Sequence, residues 1–380
     1  MPTARLFIAS GIFAPEPGGP ATYLHEILPA LQTRGWQIRA LTFSDTAEDR
    51  GEPYPVTRIV RQRYPLRMAR YGVASRSLLA WAQVVYAHQL GLPLLGSRRA
   101  PRIIKIVGDI AWERAVRRGW IPPSEDIDAF QTRRYGLAAN ADKRRLYREA
   151  TTYDGVITPS EYLKRMVMGW GVDETKIRVI YNALPPDHSL PDLTQQDARE
   201  QLQLDRDTPI VLTVGRILPW KGVDHLCAAL AHVPDVRLIV AGDGPALEAA
   251  KAAAVSAGTA DRVTFLGRVG RGQMPLWMKA ADYVALYSGY EGLSHTLLES
   301  LRVGTPVIAS DRGGNPEVVQ HGVNGLLVPY VNVEALAAAL QTAFTAGKRD
   351  ALAANAPIGM EKFDYVNMVD STSAYLAGFV

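Results

Sequence analysis

Cysteine is almost missing from this 380-residue chain: Cys227 is the only one, so no intrachain disulfide can form. No CxxC pair and no Cys/His cluster occurs, which removes the usual zinc-binding patterns. Such low cysteine use fits a cytoplasmic location. The GxxxxGK[ST] loop is absent too, and with it the Walker type of nucleotide hydrolase. Long hydrophobic runs are lacking. The longest apolar stretch, Leu78 to Gly96, is interrupted by Gln83, His88, Gln89 and Pro93, all costly in a bilayer core. It reads as a buried or surface-docked helix. The run Leu6 to Ala14 is short, contains Gly11 and leads into Pro15-Glu16-Pro17-Gly18-Gly19. It reads as a first buried strand, not a signal peptide.

Basic residues are few in the second half. Residues 1–190 hold 27 Lys/Arg against 18 Asp/Glu, whereas residues 191–380 hold 15 against 20. The basic excess gathers at Arg58-Arg61-Arg63-Arg67-Arg70, Arg98-Arg99-Arg102, Arg117-Arg118 and Lys143-Arg144-Arg145. Three ligands suit such a face: an anionic membrane surface, a phosphate-bearing acceptor, or nucleic acid. A merely solvated face competes with all three. Nucleic acid is set aside, because no nucleic-acid module's signature accompanies the charge.

What is present is a regular alternation. Strand patterns at Arg5–Gly11, Gln37–Phe43, Arg102–Val107, Gly155–Thr158 and Ile177–Tyr181 are separated by helical patterns such as Ala21–Thr33, Ser77–Gln89 and Glu161–Gly169. The rhythm repeats at Pro209–Val214, Val236–Ala241, Val263–Leu266, Tyr283–Tyr287, Pro306–Ala309 and Gly325–Val328. Continuous apolar strands spaced by helices predict parallel sheets covered on both faces. Two such runs predict an α/β chain of two Rossmann-like doubly wound domains, with the ligand in the cleft they face. Pro185-Pro186-Asp187-His188-Ser189-Leu190-Pro191 suits a linker. The expected division is 1–187, then 188–356, then a tail 357–380 that packs back on the first domain.

Several loops follow strands and open helices. Gly18 and Gly19 lack a Cβ, so their amides can approach a phosphate. Gly242-Asp243-Gly244-Pro245 resembles the start of a dinucleotide fingerprint, but Leu247 stands where Gly or Ala is needed. A nicotinamide enzyme is therefore only an alternative. Gly215-Arg216-Ile217-Leu218-Pro219-Trp220-Lys221-Gly222 follows a strand at its ligand-binding end. Arg216 offers a guanidinium fork and Lys221 a point charge, so both suit one polyphosphate.

Glu291 and Glu299 bracket Gly292-Leu293-Ser294-His295-Thr296-Leu297-Leu298. Ser294 reads as the N-cap of a helix whose first-turn amides favour an anion. Eight residues of helix span roughly 12 Å. A glycosidase dyad needs roughly 5 Å, or 6.5–9.5 Å in the inverting case. The spacing favours two contacts on one long ligand.

These residues resemble the E-x7-E signature of glycosyltransferase family 4, retaining enzymes of the two-domain GT-B fold. The likeness continues through Gly304-Thr305-Pro306, Gly313-Gly314-Asn315-Pro316-Glu317 and Asn324-Gly325-Leu326-Leu327-Val328-Pro329. The resemblance implies a nucleotide-diphosphate sugar donor held mainly by the second domain, and a hexose moved to an acceptor hydroxyl. It places Arg216 and Lys221 on the diphosphate, Glu299 on the ribose and Glu291 on sugar hydroxyls. Gly18 and Gly19 complete the donor site, with Gly215, Gly242, Gly244, Gly292, Leu293, Ser294 and His295. Gly267, Arg268 and Val269 border the base. Neither a metal nor a cofactor is expected. The implied acceptor is a glycan or a lipid-linked one, in polysaccharide, glycolipid or lipid-linked glycan synthesis at the inner face of the plasma membrane. One departure stands out. Gly108 occupies the position of a family histidine, and Asp109 is the substitute candidate for a donor-sugar hydroxyl and for catalysis. A nucleotide-sugar epimerase, or a binding protein without turnover, is the alternative.

Overall fold

The computed structural model describes residues 4–16, 18–46, 51–96, 98–186 and 193–380. Two compact units form. The first comprises Met1–Ile121, Phe130–Tyr181 and Tyr365–Val380; the second comprises Pro122–Ala129 and Asn182–Asp364. The expected boundary at residue 187 gives way to one at residue 181, and most of the proposed linker, 187–191, lies outside the described residues.

The first unit is built on seven strands: β1 (Ala4–Ala9), β2 (Trp36–Ser44), β3 (Val56–Val60), β4 (Val84–Ala87), β5 (Arg102–Lys105), β6 (Gly155–Thr158) and β7 (Ile177–Val179). They lie parallel in the order β3-β2-β1-β4-β5-β6-β7. Every residue of β4 and β6 is buried, as strands covered on both faces require. The stretch Leu78 to Gly96 is not one helix. A helix over Tyr64–Trp81 ends at Ala82 in an extended conformation, and Val84-Val85-Tyr86 enter the sheet as β4. β-Branched and aromatic side chains fit the slot between β1 and β5 better than a helix turn.

The second unit carries β8 (Ile210–Val214), β9 (Arg237–Ala241), β10 (Val263–Gly267), β11 (Tyr283–Leu286), β12 (Val307–Ser310) and β13 (Gly325–Val328). Their order is β10-β9-β8-β11-β12-β13, again all parallel. The chain runs from β8 outward to β9 and β10, then returns to β11 on the other side of β8. That reversal creates a switch point between β8 and β11, where loops diverge and leave a crevice. The core beneath it includes Leu226, Tyr283, Tyr287, Leu336 and Leu340.

Residues 357–364 stay with the second unit, where the Asn324 side-chain amide donates to the Ile358 carbonyl at 3.2 Å and Phe363 is buried. Only from Tyr365 does the chain rejoin the first unit. The helix Tyr365–Ala377 is fastened there by polar contacts. The Tyr365 hydroxyl donates to the Glu26 carbonyl at 2.6 Å, and the Tyr375 hydroxyl to that of Lys176 at 2.6 Å. The Trp36 indole donates to Ser373 Oγ at 2.9 Å, and Arg34 pairs with Asp370 at 2.5 Å. Among the described residues, no helix is long and apolar enough to cross a membrane.

One core residue is unusual. Lys105, the last residue of β5, is 1% exposed; its ammonium lies 3.8 Å from the Tyr23 ring centre and has no hydrogen-bond partner among the described residues. Burial pushes its pKa down to about 7. The unfolded chain therefore holds more protons than the folded one between about pH 7 and the lysine's ordinary value, and stability rises with pH across that window. The gain between pH 7 and 9.5 is about 3 kcal/mol. The advantage of Lys105→Met over the parent should shrink by that amount between urea titrations at the two pH values. A constant difference would refute the buried-cation reading.

Candidate active site

The switch point of the second unit collects most of the residues singled out above. Gly215 leaves β8, and its amide donates to the Ala241 carbonyl at 3.0 Å, tying this loop to the exit of β9. Two further bonds knit the loops: the Ile217 amide to the Asp243 carbonyl at 3.0 Å, and the Ala246 amide to the Ile217 carbonyl at 3.1 Å. The approach is so close that a Cβ on Gly242 would lie 1.9 Å from the Gly215 carbonyl oxygen. Gly242 and Gly244 thus act first as packing residues that fix the β8 loop.

Pro219–Lys221 then makes a single 3-10 turn. The Trp220 carbonyl accepts from the Gly289 amide at 2.7 Å, which clamps this turn to the loop after β11. Gly222 has φ +62°, and a Cβ there would sit 2.1 Å from the Tyr287 carbonyl oxygen. Only glycine satisfies both conditions. This clamp aims Lys221 across the switch point.

Its partner comes from the other side. Glu291 lies in the loop after β11, and its carbonyl accepts from the Gly314 amide at 2.8 Å, in the loop after β12. Lys221 Nζ and Glu291 Oε1 stand 2.5 Å apart. Their side chains are 21% and 15% exposed, so the pair is partly desolvated yet open on one side. Sequence reasoning assigned the two residues to different parts of a ligand and did not pair them. It also missed Trp220, Gly289 and Gly222 as the residues that set the lysine's position.

Beyond Glu291 the chain passes Gly292 and Leu293, both buried, to Ser294. Ser294 Oγ accepts from the Leu297 amide at 3.3 Å and caps the helix His295–Arg302. His295 opens that helix. Glu299 is half-buried on it, among the buried Leu297, Leu298, Ser300 and Leu301. Arg216 is exposed on the β8 loop. Gly267 ends β10, and Val269 follows it, half-buried. Arg268, which is 83% exposed, reaches Asp243 at 3.3 Å. A lysine, an arginine and the N-terminus of a helix thus gather along one sheet edge. Such a set suits an anion as long as a diphosphate.

Gly18, Gly19 and Asp109 belong to the first unit. Gly18 and Gly19 are exposed at the start of the helix Gly19–Gln32. Asp109 has a structural part that its position in the sequence did not announce. It is 1% exposed and caps the helix Ile110–Arg117, with Oδ1 accepting from the Ala111 amide at 2.8 Å and the Trp112 amide at 3.1 Å. Its Oδ2 accepts from Gln131 Nε2 at 2.9 Å and the Tyr147 hydroxyl at 2.6 Å. Burial pushes its pKa up, and these four donors oppose the rise. The four donors occupy both carboxylate oxygens, so in this arrangement Asp109 holds the first unit together. Gly108, beside it, offers only backbone.

Two doubly wound parallel sheets, with a cation–carboxylate pair at the switch point of the second, define the fold class as GT-B. Solved structures agree. Sucrose-phosphate synthase from Thermosynechococcus elongatus superposes with a TM-score of 0.80 at 20% identity, over 99% of this chain and 98% of that one. Anabaena HepE, solved in complex with UDP-glucose, gives 0.75 at 22% identity, over 98% and 99%. The family model for Glycosyl transferases group 1 matches residues 194–357, and that for Glycosyltransferase Family 4 matches residues 17–188. The chain belongs to glycosyltransferase family 4. A curated relative is the GDP-mannose-dependent alpha-(1-6)-phosphatidylinositol monomannoside mannosyltransferase of Mycobacterium tuberculosis, 33% identical over 52% of this chain. The match spans about half of that relative's length, 54%.

Proposed function

We propose that the chain moves a hexosyl group from a nucleotide-diphosphate sugar to an acceptor hydroxyl, with retention and without a metal ion. The Lys221–Glu291 pair at the switch point carries this reading. Lys221 and Arg216 bind the donor diphosphate and stabilise the charge that grows as the bond from the anomeric carbon to its phosphate oxygen breaks. The helix beginning at His295 adds its positive end. Glu291, freed from sole attachment to Lys221 when the diphosphate enters, accepts hydrogen bonds from sugar hydroxyls, and Glu299 does the same for the ribose. Gly267, Arg268 and Val269 border the base. The acceptor oxygen attacks from the face the diphosphate leaves, and its proton passes to a donor phosphate oxygen. Positioning supplies most of the rate.

The relative named for GDP-mannose and a phosphatidylinositol glycoside, and the neighbour solved with UDP-glucose, support a nucleotide-sugar donor and a glycan or lipid-linked acceptor. In this reading the acceptor belongs to the first unit, and the protein works at the cytoplasmic face of a membrane. The test is turnover of UDP-, GDP- and ADP-sugars in EDTA, with and without membrane lipid extract, with the product's anomeric configuration read by NMR. One nucleotide should be released and one α-linked product formed from an α-linked donor. Conversion of the donor sugar without any acceptor would replace transfer with epimerisation. An inverted product or a strict metal requirement would overturn the mechanism.

A further inference from the structure

The first unit has its own switch point, between β1 and β4, because β2 lies on the far side of β1. A cavity of about 380 Å³ opens there. Gly11 from the exit of β1, Gln89 and Gly91 from the exit of β4, and Ile110 from the helix after β5 form its floor. Five arginines line it: Arg61, Arg67, Arg114, Arg117 and Arg118, with no acidic residue among the described lining residues.

Two of the five are neutralised from behind. Arg61 pairs with Glu16 and, at 2.9 Å, with Asp45. Arg114 holds both oxygens of Asp142, at 2.8 and 2.9 Å. Among the described residues, the other three have no carboxylate partner. Arg67 lies over the rings of Tyr64 at 5.2 Å and Phe43 at 5.6 Å, with its Nε buried and unbonded. Arg118 lies over Trp120 at 4.9 Å. Arg117 donates to the Glu113 carbonyl at 3.3 Å. Three unmatched guanidinium groups around one cavity repel each other, and stacking on rings fixes two of them without discharging them. An anion relieves that repulsion. Guanidinium forks match the oxygens of a phosphate.

A second cavity of about 380 Å³ adjoins the first and shares Gly11, Gln89, Ile110 and Arg117 with it. Gly108 and Glu113 line this neighbour, so it has both backbone and carboxylate groups for hydroxyls.

We propose that the arginine-lined cavity binds the phosphate group of the acceptor, a phosphomonoester or phosphodiester joined to a hydroxylated ring that occupies the adjoining cavity. The role of acceptor rests on the transfer reading above; the phosphate site does not.

The test uses the full chain and the variant Arg117→Gln/Arg118→Gln, both exposed positions, with Arg67→Met as a second variant. Calorimetry would follow inorganic phosphate, a soluble hexose 6-phosphate and the unphosphorylated hexose. Co-sedimentation would follow vesicles of phosphatidylinositol in phosphatidylcholine. Nucleotide diphosphate binding reports an intact second unit. The parent should bind the hexose 6-phosphate or the phosphatidylinositol vesicles. The double variant should bind that ligand at least tenfold more weakly, with nucleotide affinity unchanged. Binding of the soluble ester alone names a free sugar phosphate, and binding of vesicles alone names a lipid headgroup. Equal affinity in parent and variants, or no binding of any phosphate probe, overturns the site. Phosphate binding that depends on the arginines in a protein that transfers no sugar keeps the site and overturns the acceptor role.

Discussion

Lys221→Met should fold as the parent does and lose transfer by about 10³-fold in kcat. The substitution removes the one ammonium that the 3-10 turn at Pro219–Lys221 aims across the switch point. It also leaves Glu291, 15% exposed, without the charge that accompanied it. Removing one preorganised donor to a developing oxyanion costs roughly 10²–10³ in rate, and an orphaned half-buried carboxylate adds to that by repelling the diphosphate. Lys221→Arg should not restore the rate, because the guanidinium is larger and the clamp through Trp220 and Gly289 leaves the turn no freedom to retreat. Nucleotide release at saturating donor, together with circular dichroism, checks both halves. A parental kcat in a folded Lys221→Met protein would remove this pair from the mechanism.

A second large effect is expected on stability. Asp109→Ala takes the carboxylate from four donors at once: two helix-capping amides, Gln131, and Tyr147, whose hydroxyl keeps Gln131 Oε1 at 2.7 Å as a second acceptor. Leaving buried donors unsatisfied costs about 1–3 kcal/mol each, with part recovered by rearrangement. A net loss of roughly 3–5 kcal/mol follows, and a melting point lower by about 10 °C. Tyr147 also stacks on Trp170 at 4.5 Å between ring centres, and the Trp170 indole donates to Gln131 Oε1 at 2.7 Å, so the damage should spread through this network. Asp109→Asn keeps an acceptor for the two amides and should lose less. Thermal melting of the two variants gives the ranking. A melting point within 2 °C or so of the parent for Asp109→Ala would mean that the carboxylate is not the hub its contacts describe.

The double alternation of strands and helices was readable because each strand is a short apolar run bounded by turn residues, as in Gly155–Thr158 and Gly325–Val328. β4 escaped because Val84 to Ala87 follows a helix after two residues, so the apolar pattern runs on without punctuation. The Lys221–Glu291 contact escaped for another reason. The two residues are far apart in sequence and meet only because β8 and β11 are neighbours, and strand order is not written in any local pattern. Gly313 and Gly314 were readable as a motif through the family resemblance. That the Gly314 amide would hold the Glu291 carbonyl was not. The structural part of Asp109 was not readable, because two of its four donors, Gln131 and Tyr147, are connected to it by no spacing rule.

The helix Tyr365–Ala377 also orders events in time. A ribosome finishes β7 and then makes the whole of residues 182–364 before it reaches the segment that completes the first unit. At about 5–20 residues per second that interval is roughly 10–40 s. For that time Trp36, Glu26 and the face around Gly155 stand uncovered, since their partners Ser373, Tyr365 and Tyr375 do not yet exist. The second unit, contiguous but for one eight-residue segment already synthesised, can close while the first still waits. Translation thus finishes the second unit before the first, and an early release of the nascent chain leaves the first unit exposed to chaperones and proteases.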